Sequence, residues 1–99
     1  MMETFESIIN SPTPTLVDFY ATWCGPCKAM SPVLDQAKKV LGDKVRILKI
    51  DVDKNPAVAN KFMVRGVPTF ILFKNGELIW RFSGGMNMGS LVKKIEESL

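Results

Sequence analysis

The two cysteines of this chain, Cys24 and Cys27, are separated by two residues and follow an apolar stretch. This spacing suits an internal redox disulfide. Because the sequence contains no histidine and no further cysteine, a zinc or iron–sulfur site would need carboxylates or a second chain as ligands. A purely structural disulfide is another alternative, but so short a loop removes little entropy from the unfolded chain. We therefore expect a reactive dithiol pair, with no metal and no other cofactor.

The position of Cys24 explains why its thiol would be reactive at neutral pH. It falls where a predicted strand ends and a predicted helix begins. Free N–H groups and partial positive charge at a helix N-terminus favour the thiolate, lowering the cysteine pKa below its free value of about 8.5. Cys27 lies one turn further into the helix, shielded from water. This indicates that Cys24 attacks a partner disulfide and that Cys27 resolves the mixed disulfide.

Gly25 and Pro26 separate the two cysteines. Proline suits an early helical position because its missing N–H would have no helical partner there, and glycine leaves Cys24 approachable. We expect both residues to set the geometry of the disulfide ring and its redox potential, for which about 30 mV corresponds to 1.4 kcal/mol.

Asp18 is a carboxylate within an otherwise apolar predicted strand, residues 15–20. It could lie at an exposed edge of a sheet, or it could be buried. Burying a carboxylate is costly and raises its pKa. A raised pKa would suit a proton carrier that deprotonates Cys27 during resolution.

Length and composition indicate a single small domain over residues 1–99, with 46% hydrophobic residues to form its core. The net charge is only +3 and the basic residues are scattered, which argues against nucleic-acid binding. The longest apolar run, residues 70–73, is too short to span a bilayer, and no signal-like segment opens the chain. We expect a cytoplasmic protein without membrane contact, because reducing compartments keep thiols free.

The first half of the chain predicts a short helix capped by Thr4, a strand over residues 15–20 and a longer helix after the cysteines. Gly42 stands where the C-terminal cap of that longer helix belongs. The apolar face of the longer helix is predicted to comprise Met30, Val33, Leu34, Ala37, Val40 and Leu41.

The second half predicts a strand at residues 45–51 and a short helix from an Asn-Pro start to about residue 62. Residues 69–73 and 78–82 flank an Asn-Gly pair, which favours an antiparallel hairpin. A last helix places Leu91, Val92, Ile95 and Leu99 on one face. This order predicts the α/β class, with a mixed sheet covered by helices on both faces.

In motifs and element order, the chain closely resembles the thioredoxin family of small thiol–disulfide oxidoreductases, from about Phe5 to Leu99. The motifs that carry the resemblance are Val17-Asp18-Phe19, Trp23-Cys24-Gly25-Pro26-Cys27-Lys28, Pro32, Lys49, Arg65-Gly66-Val67-Pro68-Thr69, Phe73-Lys74-Asn75-Gly76-Glu77 and Gly84. The resemblance implies the thioredoxin fold and a protein-disulfide reductase. Its partners would be disulfide-containing client proteins and a thioredoxin-reductase-like electron donor.

The family also implies roles for residues around the cysteines. It makes Asp18 the proton carrier, with Lys49 nearby, and a Gly-Pro pair between the cysteines marks its reducing members. In the family the Val67-Pro68 bond is cis and the backbone at Val67 pairs with an extended client segment. The implied client-docking surface consists of Trp23, Val67, Pro68 and Gly84.

The N-terminal end departs from the family pattern. The chain begins four residues before Phe5, so the strand that usually precedes the first helix has no sequence to form it, and we expect four strands. The uncovered edge along residues 45–51 would invite pairing with another chain. We therefore expect a monomer whose edge is shielded by an N-terminal segment, or a weak dimer through this edge.

The methionines have two expected uses. Met30, Met63 and Met88 are predicted to fill the core, whereas Met86, which follows two glycines, is a candidate for accommodating varied clients.

Two other classes of function stay open. An oxidase or isomerase uses the same motif position at a more oxidising potential, and a binding module of this fold would not use its thiols at all.

Overall fold

The computed structural model describes residues 4–99, in which helices and strands alternate before a closing hairpin and helix. Among the helices of this range, none combines the length and the hydropathy that a bilayer span requires. The elements in chain order are α1 (Phe5–Ile9), β1 (Thr15–Tyr20), α2 (Gly25–Leu41), a 3-10 turn (Gly42–Lys44), β2 (Arg46–Asp51), α3 (Pro56–Lys61), β3 (Thr69–Lys74), β4 (Glu77–Ser83) and α4 (Met88–Glu96).

The strands form one mixed sheet in the order β2-β1-β3-β4. β1 runs parallel to β2 and antiparallel to β3, and β3 and β4 form the predicted hairpin. The predicted four-stranded sheet is thereby confirmed for the described residues. The register places Asp18 of β1 between Lys49 of β2 and Phe70 of β3.

Helices cover both faces of the sheet, as predicted, and each face has its own apolar cluster. Since side chains alternate along a strand, Leu16 of β1 contributes to one cluster and Val17 and Phe19 contribute to the other. The first cluster packs the sheet against α2 and α4, and the second packs it against α1 and α3. Asp18 shares the α2 face with Leu16, which places its carboxylate on the side of the cysteines.

The ends of two elements depend on backbone conformations that sequence reasoning identified. Gly42 follows α2 with φ 57°, as expected of a C-terminal cap. Asn75 and Gly76 both have positive φ, at 53° and 80°, so the hairpin turns where the Asn-Gly pair predicted. The turn is tied to the chain after α1, because Gly76 N–H donates to Ile9 O at 3.0 Å.

Three predicted apolar contacts were wrong. Val40 is 59% exposed because the buried stripe of α2 is narrower than its apolar pattern, and Leu99 lies beyond the end of α4. Met63 is 63% exposed, because it sits in a left-handed turn just after α3 rather than in the core. Of the other methionines, Met30 is buried in the first cluster and Met88 packs partly against it.

The hairpin turn yields a stability prediction. Gly76→Ala should lower the free energy of unfolding by about 1–2 kcal/mol, because φ +80° is a left-handed conformation that strains any residue with a Cβ. The new Cβ would also lie 2.9 Å from Asn10 Oδ1. Urea unfolding of the oxidised protein measures the change. Gly89→Ala in α4 is the control, since its Cβ would meet only an ordinary 3.6 Å contact. Equal stability of the two variants would contradict this account of the turn.

Candidate functional site

The cysteine pair forms a disulfide at the N-terminus of α2. Cys24 is the N-cap residue, and the N–H of Cys27 donates to Cys24 Sγ at 3.1 Å. The two Cα atoms are 5.3 Å apart, and both side chains are buried. The predicted strand-to-helix position is confirmed. When the disulfide is reduced, this N–H and the helix dipole would stabilise negative charge on Cys24.

Gly25 and Pro26 form the first helical positions of α2. Pro26 needs no N–H partner there. A Cβ built on Gly25 would meet no atom within 4 Å, so packing does not require glycine at this position. A Cβ there would lie in open space.

Val67, Pro68 and Gly84 come together next to the cysteines. The Val67-Pro68 peptide bond is cis, as the resemblance implied, and Val67 O lies 3.8 Å from Cys24 Sγ. Gly84 N–H donates to Pro68 O at 2.8 Å, and its φ of 100° favours glycine. The carbonyl of Val67 therefore faces the sulfur that is predicted to attack.

Trp23 is a surface residue, 70% exposed, whose indole Nε1 donates to Asp53 Oδ2 at 2.9 Å. This hydrogen bond fixes the ring beside a groove of about 120 Å³, which we call the docking groove. The groove is lined by Trp23, Val52, Val64, Arg65, Gly66 and Val67. Of the four candidate docking residues, Trp23 and Val67 line this groove, Pro68 follows Val67 in the chain, and Gly84 is tied to Pro68 by its hydrogen bond.

Asp18 is only 4% exposed, so the exposed-edge alternative is wrong. Its Oδ1 atom has no hydrogen-bond partner among the described residues. A cleft of about 320 Å³ joins its carboxylate to Cys27 and Lys49, and we call it the Asp18 cleft. The cleft is lined by Asp18, Tyr20, Ala21, Thr22, Cys27, Lys28, Ser31 and Lys49.

Burial changes the acidity of this carboxyl group. Loss of hydration raises the pKa of Asp18 from 3.8 to about 6, while attraction to the Lys49 ammonium lowers it in part. Lys49 is the register partner of Asp18 on β2 and is itself exposed. Solvent therefore screens the charge of Lys49, and the loss of hydration dominates the pKa of Asp18. Asp18 can hold or release a proton close to neutral pH.

Sequence reasoning missed two hydrogen bonds at or near the site. Asp53 follows β2 and reaches Trp23 because the carboxyl ends of the parallel strands β1 and β2 meet at one edge of the sheet. Met30 Sδ accepts a hydrogen bond from Met86 N–H at 3.4 Å, joining α2 to the loop after Gly84. The predicted pairing of β1 with β2 could have indicated that Asp53 lies near Trp23. No local sequence pattern indicates the hydrogen bond between Met86 and Met30.

The described residues contain no group of three or more histidine, cysteine or acidic side chains placed to hold a metal ion. Their chemistry is that of two sulfurs, one buried carboxyl group and an exposed apolar rim. Together these groups can exchange disulfides with a second protein and move one proton.

Comparison with known sequences places this chemistry in a family. The thioredoxin family model matches residues 1–97. Thioredoxin Y1, chloroplastic, of Arabidopsis thaliana is 48% identical over 101 residues, covering 98% of this chain and 59% of that protein. The chain therefore spans less than two thirds of the length of this relative.

Solved structures agree. The oxidised form of mitochondrial thioredoxin 3 from Saccharomyces cerevisiae superposes with a TM-score of 0.84 at 42% identity, covering 94% of this chain and 86% of that chain. A structure concerning the thiol resolving mechanism in yeast mitochondrial 1-Cys peroxiredoxin via glutathione/thioredoxin systems gives 0.85 at 41% identity, with coverage of 94% and 86%. With the family model matching nearly the whole sequence, the chain belongs to the thioredoxin family.

Proposed function

We propose that this protein is a protein-disulfide reductase and electron carrier that acts by dithiol–disulfide exchange. The observation that carries the proposal is the 3.1 Å hydrogen bond from Cys27 N–H to Cys24 Sγ at the start of α2. Once the disulfide is reduced, this N–H would stabilise the thiolate of Cys24, which is the form that attacks disulfides.

The exchange proceeds in two steps. In the reduced protein, the Cys24 thiolate attacks one sulfur of a client disulfide; a mixed disulfide forms and the other client sulfur leaves as a thiolate. Cys27 then loses its proton to Asp18 through the Asp18 cleft that both residues line. The Cys27 thiolate attacks Cys24 Sγ and releases the second client thiolate. Two electrons pass to the client, and Cys24 and Cys27 become the disulfide.

Asp18 suits the second step because its pKa of about 6 lies closer to that of a thiol than an ordinary carboxyl pKa does. Lys49 would moderate that pKa through its charge. Gly25 and Pro26 would keep the ring open to attack and tune its potential.

Client docking is proposed at the docking groove and the adjoining Pro68 and Gly84. An extended client segment would pair with the backbone at Val67, whose carbonyl lies 3.8 Å from Cys24 Sγ. Trp23 would cover an apolar client side chain, since its ring is exposed yet fixed by Asp53. This arrangement would bring the scissile disulfide next to the attacking sulfur.

We further propose a thioredoxin-reductase-like donor and work in the cytoplasm, where thiols stay reduced. Peroxiredoxins are candidate clients, since one is named for a similar solved structure. Arg46 N–H donates to Pro14 O directly before β1, and Val52 N–H, directly after β2, donates to Tyr20 O, so alternate residues of β2 direct their N–H groups away from the sheet. This edge supports the proposal of a monomer or a weak dimer paired through β2.

The equilibrium reduction potential of the cysteine pair separates the candidate functions. Titration in defined thiol buffers, read by the fluorescence of Trp23, should give a value more reducing than roughly −220 to −260 mV, the cytosolic glutathione range. A value near about −180 mV would indicate an oxidase or isomerase instead. Absence of a reversible transition would favour a binding module.

Cys27→Ser should trap the client. Without the resolving thiol, the mixed disulfide between Cys24 and a protein client accumulates, because the second step has no nucleophile. Non-reducing electrophoresis and mass spectrometry detect the adduct. Cys24→Ser is the matched variant and should yield no adduct at residue 24. Equal trapping by both variants would contradict the assigned order of attack.

Asp18→Asn should make the oxidised protein more stable at neutral pH. The folded pKa of about 6 exceeds the ordinary 3.8, so the folded state binds this proton more tightly and stability falls as pH rises from about 4 through 6. A difference of two pKa units corresponds to about 3 kcal/mol, so Asp18→Asn should raise the free energy of unfolding by about this amount at pH 7.5. The gain should shrink towards zero at pH 4.

Urea unfolding at the two pH values measures this gain. Asp43→Asn, at an exposed carboxylate in the turn after α2, is the control and should change stability by less than about 0.5 kcal/mol. A gain for Asp18→Asn that is the same at both pH values would show that charge burial is not its cause.

A further inference from the structure

Arg81 of β4 contacts the chain segment that carries one wall of the docking groove. Its guanidinium Nη1 donates to Phe62 O, and Nη2 donates to Met63 O at 2.9 Å. The planar fork of an arginine can bridge two neighbouring carbonyls in this way, which a point-like ammonium does less well. One side chain thereby fixes two successive peptide groups.

The bridged segment begins in an unfavourable conformation. Phe62 is the C-cap of α3, where helix carbonyls lack intrahelical partners, and Met63 has φ 55° without being glycine. The Met63 side chain is 63% exposed, so burial does little to hold it there. The turn therefore relies on hydrogen bonds to its backbone, and Arg81 supplies two of them.

The turn sets the position of the groove wall. Directly after Met63, the residues 64–67 line the docking groove opposite Trp23. Val64 N–H donates to Ala59 O at 2.9 Å, which folds this segment back onto α3. A change in the backbone at Met63 would move Val64 and, through it, the backbone at Val67.

Arg81 also belongs to the framework on the other side of the site. It pairs with Ile71 of β3, the strand that follows Pro68, and β4 leads directly to Gly84. The guanidinium thus connects the α3 turn to the hairpin that positions Pro68 and Gly84. The two halves of the docking surface are held in one geometry by this contact.

We propose that Arg81 is a positioning residue for client docking, which holds the 64–67 wall at its distance from Trp23 by bridging the carbonyls of Phe62 and Met63. The inference rests on the proposed disulfide-reductase function. Arg81 acts on the fit of an extended, apolar client segment and not on the chemistry of the cysteines. Its loss should therefore weaken client binding and leave small disulfides unaffected.

Stopped-flow reactions of the reduced protein, followed by Trp23 fluorescence, test this separation. For Arg81→Ala the insulin concentration at half-maximal rate should rise about fivefold, with the maximal rate unchanged. The rate with oxidised glutathione, which is too small to span the groove, should stay the same. Lys94→Ala removes an equal charge from α4, where Lys94 pairs with the exposed Glu97, and this variant should behave as wild type.

A second substitution tests the mechanism. Met63→Gly in the Arg81→Ala background should bring the insulin concentration at half-maximal rate back to within about twofold of wild type, because glycine adopts a positive φ without penalty. If Arg81→Ala does not fold, Arg81→Lys replaces it in the test. This variant should raise the insulin concentration at half-maximal rate about twofold.

Several outcomes would overturn the proposal. Unchanged insulin kinetics in Arg81→Ala, an equal loss with insulin and oxidised glutathione, or absence of rescue by Met63→Gly would each do so. If the wild-type protein reduces neither disulfide, the proposed function itself fails and this inference fails with it. Normal wild-type reduction with no effect at Arg81 would leave the function intact and reject only the positioning role.

Discussion

A carboxylate held inside the sheet is the constraint around which this site is arranged. β1 is buried on both faces, and its position 18 carries Asp18 at 4% exposure with one oxygen unpartnered among the described residues. Removing such a group from water is costly, and the two apolar clusters on either side of the sheet supply the free energy that tolerates it. The raised pKa is the direct result of this burial. The proposed proton acceptor therefore exists only because the core around it is well packed.

Cys24 and Asp18 lie in opposite electrostatic environments. At the N-terminus of α2, the N–H of Cys27 and the helix dipole favour negative charge on Cys24. Beneath the helix, desolvation disfavours negative charge on Asp18. In the reduced protein these opposite effects would bring the acidities of the thiol and the carboxyl group closer together, so that one can act as nucleophile and the other as base near neutral pH. The junction between β1 and α2 is what allows both environments within one small site.

The sequence allowed the order of elements, the cysteine chemistry and both glycine-dependent turns to be predicted, because these depend on local patterns. Asp18 could be singled out but not placed, since its burial depends on β2 and β3 packing beside β1. The exposure of Met63 was mispredicted because the end of α3 is set by tertiary contacts rather than by apolar spacing. The bridge from Arg81 to Phe62 and Met63 joins residues nearly twenty positions apart, and no periodicity reports it.

Open space around Gly25 separates the disulfide from the packing of the core. The buried face of α2 is committed to the core through residues such as Cys27, Met30 and Leu34, so substitutions on that face must preserve volume and shape. A Cβ added at position 25 would meet no atom within 4 Å, so a small side chain fits there without displacing the core. Substitution at this position can therefore change the redox potential of the disulfide while the packed core stays in place. The redox potential of the disulfide and the packing of the core can therefore change independently of each other.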